Sequence, residues 1–206
     1  MFTGIVRAIG QITHVEPIQK GNKQAGLRLS IDAGKFDLAE TKVGDSIAIE
    51  GACMTVVSHD GHSFQVDISQ ESLSCTVGLA QPGPVNLEGA LRLGDTIDGH
   101  LVLGHVDGIG TITAFEPVGE SYLLKIMAPP DCAKYLAYKG SVTINGVSLT
   151  INDIKDKTAG CEISINLIPH TVAVTTFQYA QVGKEVNIEV DMMARYVERM
   201  LTKLDT

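Results

Sequence analysis

Residues 3–17, TGIVRAIGQITHVEP, return one hundred positions later as residues 103–117, LGHVDGIGTITAFEP. Eight of the fifteen positions are identical: Gly4/Gly104, Val6/Val106, Ile9/Ile109, Gly10/Gly110, Ile12/Ile112, Thr13/Thr113, Glu16/Glu116 and Pro17/Pro117. Roughly one match is expected by chance at ordinary residue frequencies. Further pairs keep the same order: residues 46–55 (SIAIEGACMT) answer 141–150 (SVTINGVSLT), Glu71-Ser72 answers His170-Thr171, and 85–88 (VNLE) answers 186–189 (VNIE). The offset drifts between 95 and 101, as insertions in surface loops produce. A single β protein with look-alike strands does not account for matches that stay in sequence, so the chain reads as two homologous halves.

Within each half the apolar residues recur with period two, as in Leu27/Leu29/Ile31, Phe64/Val66/Ile68, Tyr122/Leu124/Ile126 and Ile163/Ile165/Leu167. That alternation marks half-buried strands, and Asp60-Gly61 and Pro82-Gly83-Pro84 punctuate them as turns. Many short strands in about 95 residues with little helix predict an all-β chain with one small closed barrel per half. Residues 1–97 and 98–191 are the expected domains. Residues 192–206 are the exception, because Met193, Val197, Met200 and Leu204 fall on one face of a helix. That stripe could cap its own barrel or pack on another subunit.

The 206 residues carry 16 Lys and Arg against 24 Asp and Glu, a net charge of −8, with no Trp and only five Tyr and five Phe. A nucleic-acid groove of cations interleaved with aromatics is therefore not expected. No apolar run reaches the 18 residues that a membrane span needs, and the first residues lack the basic segment and long apolar core of a secretory leader. Cys53, Cys75, Cys132 and Cys161 show neither dense pairing nor metal-ligand spacing, as in a reducing compartment. The expected location is the cytoplasm.

Four segments carry polar groups beside glycine, where ligands are commonly held. The first holds His100 and His105. Five residues apart, they share neither a helix face nor a strand face, so no metal site is expected. His105 stands where the first half has Ile5, which makes the two halves chemically unequal. The second pairs Cys53 with Ser148 at equivalent places, each either a packed, hydrogen-bonding group or a contact to a planar ligand. Cys53 as a nucleophile would need a nearby cation or base. The third is residues 166–171 opposite 67–72, where Pro169 must end strand pairing and leave amides, carbonyls and the Thr171 hydroxyl free. Last, Asp191 is either the N-cap of the terminal helix or a functional carboxylate.

Taken together, these motifs resemble riboflavin synthase of the duplicated-barrel type over nearly the whole chain. The resemblance rests on the opening MFTGIV, on residues 51–56 (GACMTV), 104–108 (GHVDG), 145–150 (NGVSLT), 167–171 (LIPHT) and 194–199 (ARYVER), and on the two VN(L/I)E strands. It implies two tandem six-stranded Greek-key barrels plus a C-terminal α-helix that helps to form a homotrimer. It also implies a reaction in which two 6,7-dimethyl-8-ribityllumazine molecules exchange a four-carbon unit, giving riboflavin and 5-amino-6-(D-ribitylamino)uracil without an external cofactor or metal. Lumazine synthase is a further partner that it admits. Carried over motif by motif, Gly4, Ile5 and Val6 with Cys53, Met54, Thr55 and Asp67, Ile68, Ser69, Gln70, Glu71, Ser72 line an N-terminal pocket. Gly104, His105 and Val106 with Lys139, Ser148, Leu149, Thr150 and Asn166, Leu167, Ile168, Pro169, His170, Thr171 line a C-terminal one. His105 is the expected proton-transfer residue. Ser148, Cys53 and Ser46 are candidates for activating or positioning a nucleophile, Phe2 for ring packing, and Asp191 for a carboxylate role. Asp98 and Gly89 depart from the family pattern, where glycine and a cation are common, and put local loop conformation in question. A non-catalytic lumazine or flavin carrier is the rival reading, but such relatives tend to lose the second-half motifs that are intact here.

Overall fold

The computed structural model describes residues 1–21 and 23–204, the side chains of residues 20, 23, 24, 203 and 204 excepted. The first half contributes β1 (Ala8–Lys20), β2 (Lys23–Asp32), β3 (Ser46–Ile49), β4 (Ala52–His59), β5 (Ser63–Ser69), the short helix α1 (Gln70–Cys75) and β6 (Gly83–Gly89). The second contributes β7 (Gly108–Val118), β8 (Ser121–Ala128), α2 (Pro130–Ala133), β9 (Ser141–Ile144), β10 (Val147–Lys157), β11 (Gly160–Leu167), α3 (Pro169–Val174) and β12 (Glu185–Val190). Helix α4 (Met192–Leu204) follows.

Each half closes into a six-stranded antiparallel barrel, in the order β1-β2-β5-β4-β3-β6 and β7-β8-β11-β10-β9-β12. Closure leaves no free sheet edge among the described residues. The bends that closure requires sit at equivalent places. Register shifts occur at Ile12/His14 and Ile112/Ala114, and again at Val56/Ser58 and Ile151/Asp153. An extra residue in one strand increases local twist, which turns a short strand around a tight barrel.

The alternating residues fill the barrels. Leu29, Ile31, Phe64 and Val66 form the first core, and Leu124, Ile126, Ile163 and Ile165 the second. The alternation fails on β6 and β12, where Val85 to Glu88 and Val186 to Val190 are buried without a break. Here the second face of each strand meets the other barrel or the chain's leading segments instead of solvent. The β3–β4 and β9–β10 turns abut across the interface. Glu50, Gly51, Asn145 and Gly146 all have positive φ, and a Cβ on Gly51 would lie 2.7 Å from the Gly146 amide nitrogen. Two tight turns approach this closely only when both carry glycine at the second position. Phe2 and Val102 pair as a two-residue bridge, Phe2 N to Val102 O at 2.7 Å and Val102 N to Phe2 O at 3.0 Å, so the two barrels are related by an approximate two-fold axis.

Asp191 caps α4: its Oδ1 accepts from the Met193 amide at 2.8 Å. The helix is tied down by ion pairs of Arg195 with Asp107 and of Lys134 with Glu198. Its apolar stripe faces outward, with Met193 60%, Val197 53% and Met200 68% exposed. The Leu204 side chain lies outside the described residues.

Candidate active site

Two buried carboxylates organise both halves. Glu88, on β6, accepts from the Thr3 amide (2.7 Å), the Thr3 hydroxyl (2.8 Å) and the Gly4 amide (3.0 Å). Glu189, on β12, accepts from the amides of Leu103 (2.7 Å), Gly104 (2.9 Å) and His105 (3.0 Å). Each carboxylate therefore holds the leading segment of its own half. Burial pushes Glu189 up to about 7 against the pull of its three amide donors, and raises Glu88 as well.

From these anchors each leading segment crosses to the other barrel. Gly4 O accepts from the Ser148 amide at 2.7 Å, and Gly104 O from the Cys53 amide at 2.8 Å. Both glycines have φ above 70°, and a Cβ on either would fall 2.6 Å from the Cβ of Ser148 or Cys53. Val6 then packs on the second barrel's core and Val106 on the first's. This corrects the grouping expected from sequence. Gly4, Ile5 and Val6 do not accompany Cys53 but run to Ser148, while Gly104, His105 and Val106 run to Cys53. The two-fold relation makes the segments equivalent, and only their tertiary path decides which barrel each one serves.

The first barrel has a cavity of about 530 Å³ at this crossing. Strand β4 supplies Cys53, Met54 and Thr55, the end of β5 supplies Asp67, Ile68 and Ser69, and α1 supplies Glu71, Ser72 and Cys75. Gly104, His105 and Val106 form the remaining wall. Ser69 caps α1, accepting from the Ser72 amide at 3.1 Å. Arg28 clamps Asp67 through two bonds of 2.7 and 2.9 Å and holds its carboxyl below the usual range.

The equivalent region of the second barrel brings Ser148, Leu149 and Thr150 of β10 beside the Gly4 segment, with Asn166 and Leu167 at the end of β11. Ile168 precedes α3, which opens on Pro169, His170 and Thr171. Ser148 Oγ lies 2.7 Å from His100 Nδ1, and His100 Nε2 lies 3.2 Å from Thr143 Oγ1. Burial lowers the His100 pKa, while the charge of Asp191 opposes that shift. His100 is thus the histidine seated on Ser148, whereas His105 faces the first-barrel cavity. The repeat pairs His105 with Ile5 but does not say which histidine meets Ser148, since both flank the same Leu-Val-Leu-Gly run.

Several expected site residues do not line the first-barrel cavity, Gln70 and the α4 cap Asp191 among them. Phe2 is fully buried with Ala48 and Val102 between the barrels, Ser46 lines a separate groove with Thr3, Arg7 and Glu88, and Lys139 donates to Asn152 Oδ1 at 2.9 Å. Sequence reasoning did not single out His100's partner Thr143 or the roles of Glu50, Glu88 and Glu189. The available signal was the recurrence of VN(L/I)E in both halves, since alternation alone would place its Asn and Glu on a solvated face.

The Lumazine binding domain family model matches the chain twice, at residues 3–90 and 103–191. The riboflavin synthase of Photobacterium phosphoreum is 41% identical over 98% of this chain and 89% of its own length. Those of Bacillus subtilis (38%, covering 98% and 91%) and Mycobacterium tuberculosis (40%, covering 98% of each) are similar. Among solved structures, LumP complexed with 6,7-dimethyl-8-(1'-D-ribityl) lumazine superposes with a TM-score of 0.76 at 25% identity, covering 92% of this chain and 99% of LumP. Twin sites built from exchanged segments, a doubled lumazine-binding domain and relatives aligned nearly end to end place the chain in one family: it belongs to the riboflavin synthases.

Proposed function

We infer that the chain catalyses the last step of riboflavin biosynthesis, the dismutation of two 6,7-dimethyl-8-ribityllumazine molecules into riboflavin and 5-amino-6-(D-ribitylamino)uracil, a transferase reaction that needs no external cofactor. The observation that carries this reading is the pair of two-fold-related sites, Cys53 with Gly104 and Ser148 with Gly4, in one chain. A reaction between two copies of one substrate calls for two related sites. Donor and acceptor then require the sites to differ, as the Cys53/His105 and Ser148/His100 environments do. Holding both rings in reacting geometry makes a bimolecular step effectively unimolecular.

The chemistry removes a proton from the C7 methyl of one lumazine and adds a nucleophile at C7 of the other, before carbon–carbon bonds form and the pyrimidine leaves. His105 is the proposed proton acceptor at the first-barrel cavity. At the second, the hydrogen bond between His100 Nδ1 and the Ser148 hydroxyl orients that hydroxyl, or a water bound to it, toward the ring. Cys53 positions the partner ring, Phe2 holds the crossing of the two leading segments, and Asp191 supports the charge of His100. The exposed stripe of α4 assembles a homotrimer in which the first barrel of one subunit faces the second barrel of its neighbour. The enzyme works in the cytoplasm, where lumazine synthase supplies the substrate and is the proposed partner.

Incubation with dimethylribityllumazine alone, followed by riboflavin absorbance, tests the reading. Turnover is expected, and tight binding without turnover would instead favour a non-catalytic lumazine or flavin carrier. His105→Gln, His100→Gln and Ser148→Ala should each slow turnover by about 10- to 1000-fold with unfolding midpoints little changed. An unchanged rate removes the residue concerned from the mechanism.

A further inference from the structure

The four cysteines divide sharply. Cys132 and Cys161 are buried in the second barrel's core, and burial pushes the Cys132 thiol up to about 11 and raises that of Cys161. Cys53 and Cys75 are free thiols that line one and the same cavity of the first barrel, Cys53 half-buried on β4 and Cys75 exposed at the end of α1. The second barrel offers no counterpart, since its equivalents are Ser148 and Val174, the last residue of the six-residue helix α3 that matches α1. Both cysteines line one cavity of about 530 Å³, within the size range of small-molecule sites, so an adduct on either stands at the edge of the space a ligand would occupy.

We propose that the first-barrel cavity is a thiol-modification site, at which low-molecular-weight disulfides react with Cys75, and more slowly with Cys53, and thereby close this cavity while leaving the second-barrel site unmodified. The Cys75 thiolate attacks one sulfur of the disulfide, forming a protein–small-molecule S–S bond and expelling the other sulfur as a thiolate, which takes up the proton released from Cys75. The cysteine sulfur is oxidised, the leaving sulfur is reduced, and excess thiol reverses the exchange. Thiolate chemistry needs solvent access, which Cys75 has and the core pair lacks. The polar neighbours of Cys75 also favour reaction there, with the Ser74 hydroxyl 3.8 Å from its sulfur. Because both substrates are required, occupation of one cavity stops the reaction. That consequence rests on the function proposed above, whereas the selectivity of modification does not.

The test uses the full chain, oxidised glutathione and peptide mapping by mass spectrometry, with riboflavin affinity first measured on unmodified protein. Adducts are expected at Cys75 first and at Cys53 later, with Cys132 and Cys161 unmodified until the protein is denatured. Turnover should fall in step with Cys75 occupancy and return with dithiothreitol. Riboflavin at ten times its dissociation constant should slow the adduct about tenfold, as the fraction of empty cavity falls. In Cys75→Ser, inactivation should be about tenfold slower relative to that variant's own untreated rate. Equal labelling of all four cysteines in folded protein, or complete Cys75 modification with undiminished turnover, overturns the proposal. Absence of riboflavin binding to unmodified protein counts against the functional reading alone. Should Cys75→Ser fail to fold, the mapping on the unaltered chain still decides.

Discussion

Glu50 places a carboxyl where the other half has the Asn145 amide. Its Oε2 accepts from the Asn86 amide at 2.7 Å and its Oε1 from the Thr176 hydroxyl at 2.8 Å, while burial pushes its pKa from 4.5 up to about 7. A carboxyl with a raised folded pKa binds its proton more tightly when folded, so its contribution is fully present below 4.5 and is lost as pH rises to 7. Glu189 acts in the same direction, whereas Asp60, pulled down to about 2, acts only in stronger acid. Urea midpoints measured from pH 4.5 to 7.5 should therefore decline, and Glu50→Gln should flatten the decline by at most about 1.4 kcal/mol per pH unit. An unaltered slope in the variant would place Glu50 among ordinary carboxylates. A second residue-scale test concerns Gly104, whose positive φ and close approach to Cys53 leave no room for a side chain. Gly104→Ala should cost about 2 kcal/mol or more and weaken riboflavin binding, read by chemical unfolding and ligand titration.

At the scale of elements, α4 is fastened to its barrel by the Asp191 cap and two ion pairs, yet turns its apolar stripe to the outside. The heptad-like spacing of Met193, Val197 and Met200 was legible in the sequence, but its direction was not, because periodicity defines a face without saying what it faces. The fit of Asp191 to the cap was equally legible, since a short acceptor before a helix satisfies a free amide. If the stripe assembles the trimer, Met193→Glu combined with Met200→Glu should yield monomers in sedimentation, with turnover lost while each barrel keeps its unfolding midpoint within about 0.5 kcal/mol. A trimer that survives both charges would assign the interface elsewhere. Strands β6 and β12 teach the complementary lesson. Their Asn and Glu residues alternate with aliphatics as on a half-solvated strand yet are buried, because both strand faces are covered, and a pattern rule built for one solvated face reads such strands poorly.

On the scale of the whole molecule, the leading segments fasten the barrels to each other and complete each other's sites. A fragment of residues 1–97 lacks Gly104, His105 and Val106, one wall of its own cavity. The two-fold relation means that residues 4–6 of a second copy can take their place. Riboflavin binding by the fragment should accordingly strengthen with fragment concentration and coincide with dimer formation, as followed by fluorescence titration and gel filtration. Binding that is tight and independent of concentration would show that the missing wall contributes little.

The order and likeness of the two halves, the alternation of their strands and the periodicity of the tail were enough to specify two barrels and a terminal helix, because those properties follow from local backbone geometry and side-chain polarity. The repeat also identified which positions correspond. It could not say whether corresponding groups meet within a barrel or across to the other, since Gly4 and Gly104 can offer the same carbonyl to either Ser148 or Cys53. Only the packing of the two barrels about their common axis decides that exchange, and with it which histidine sits on Ser148 and which faces the thiols.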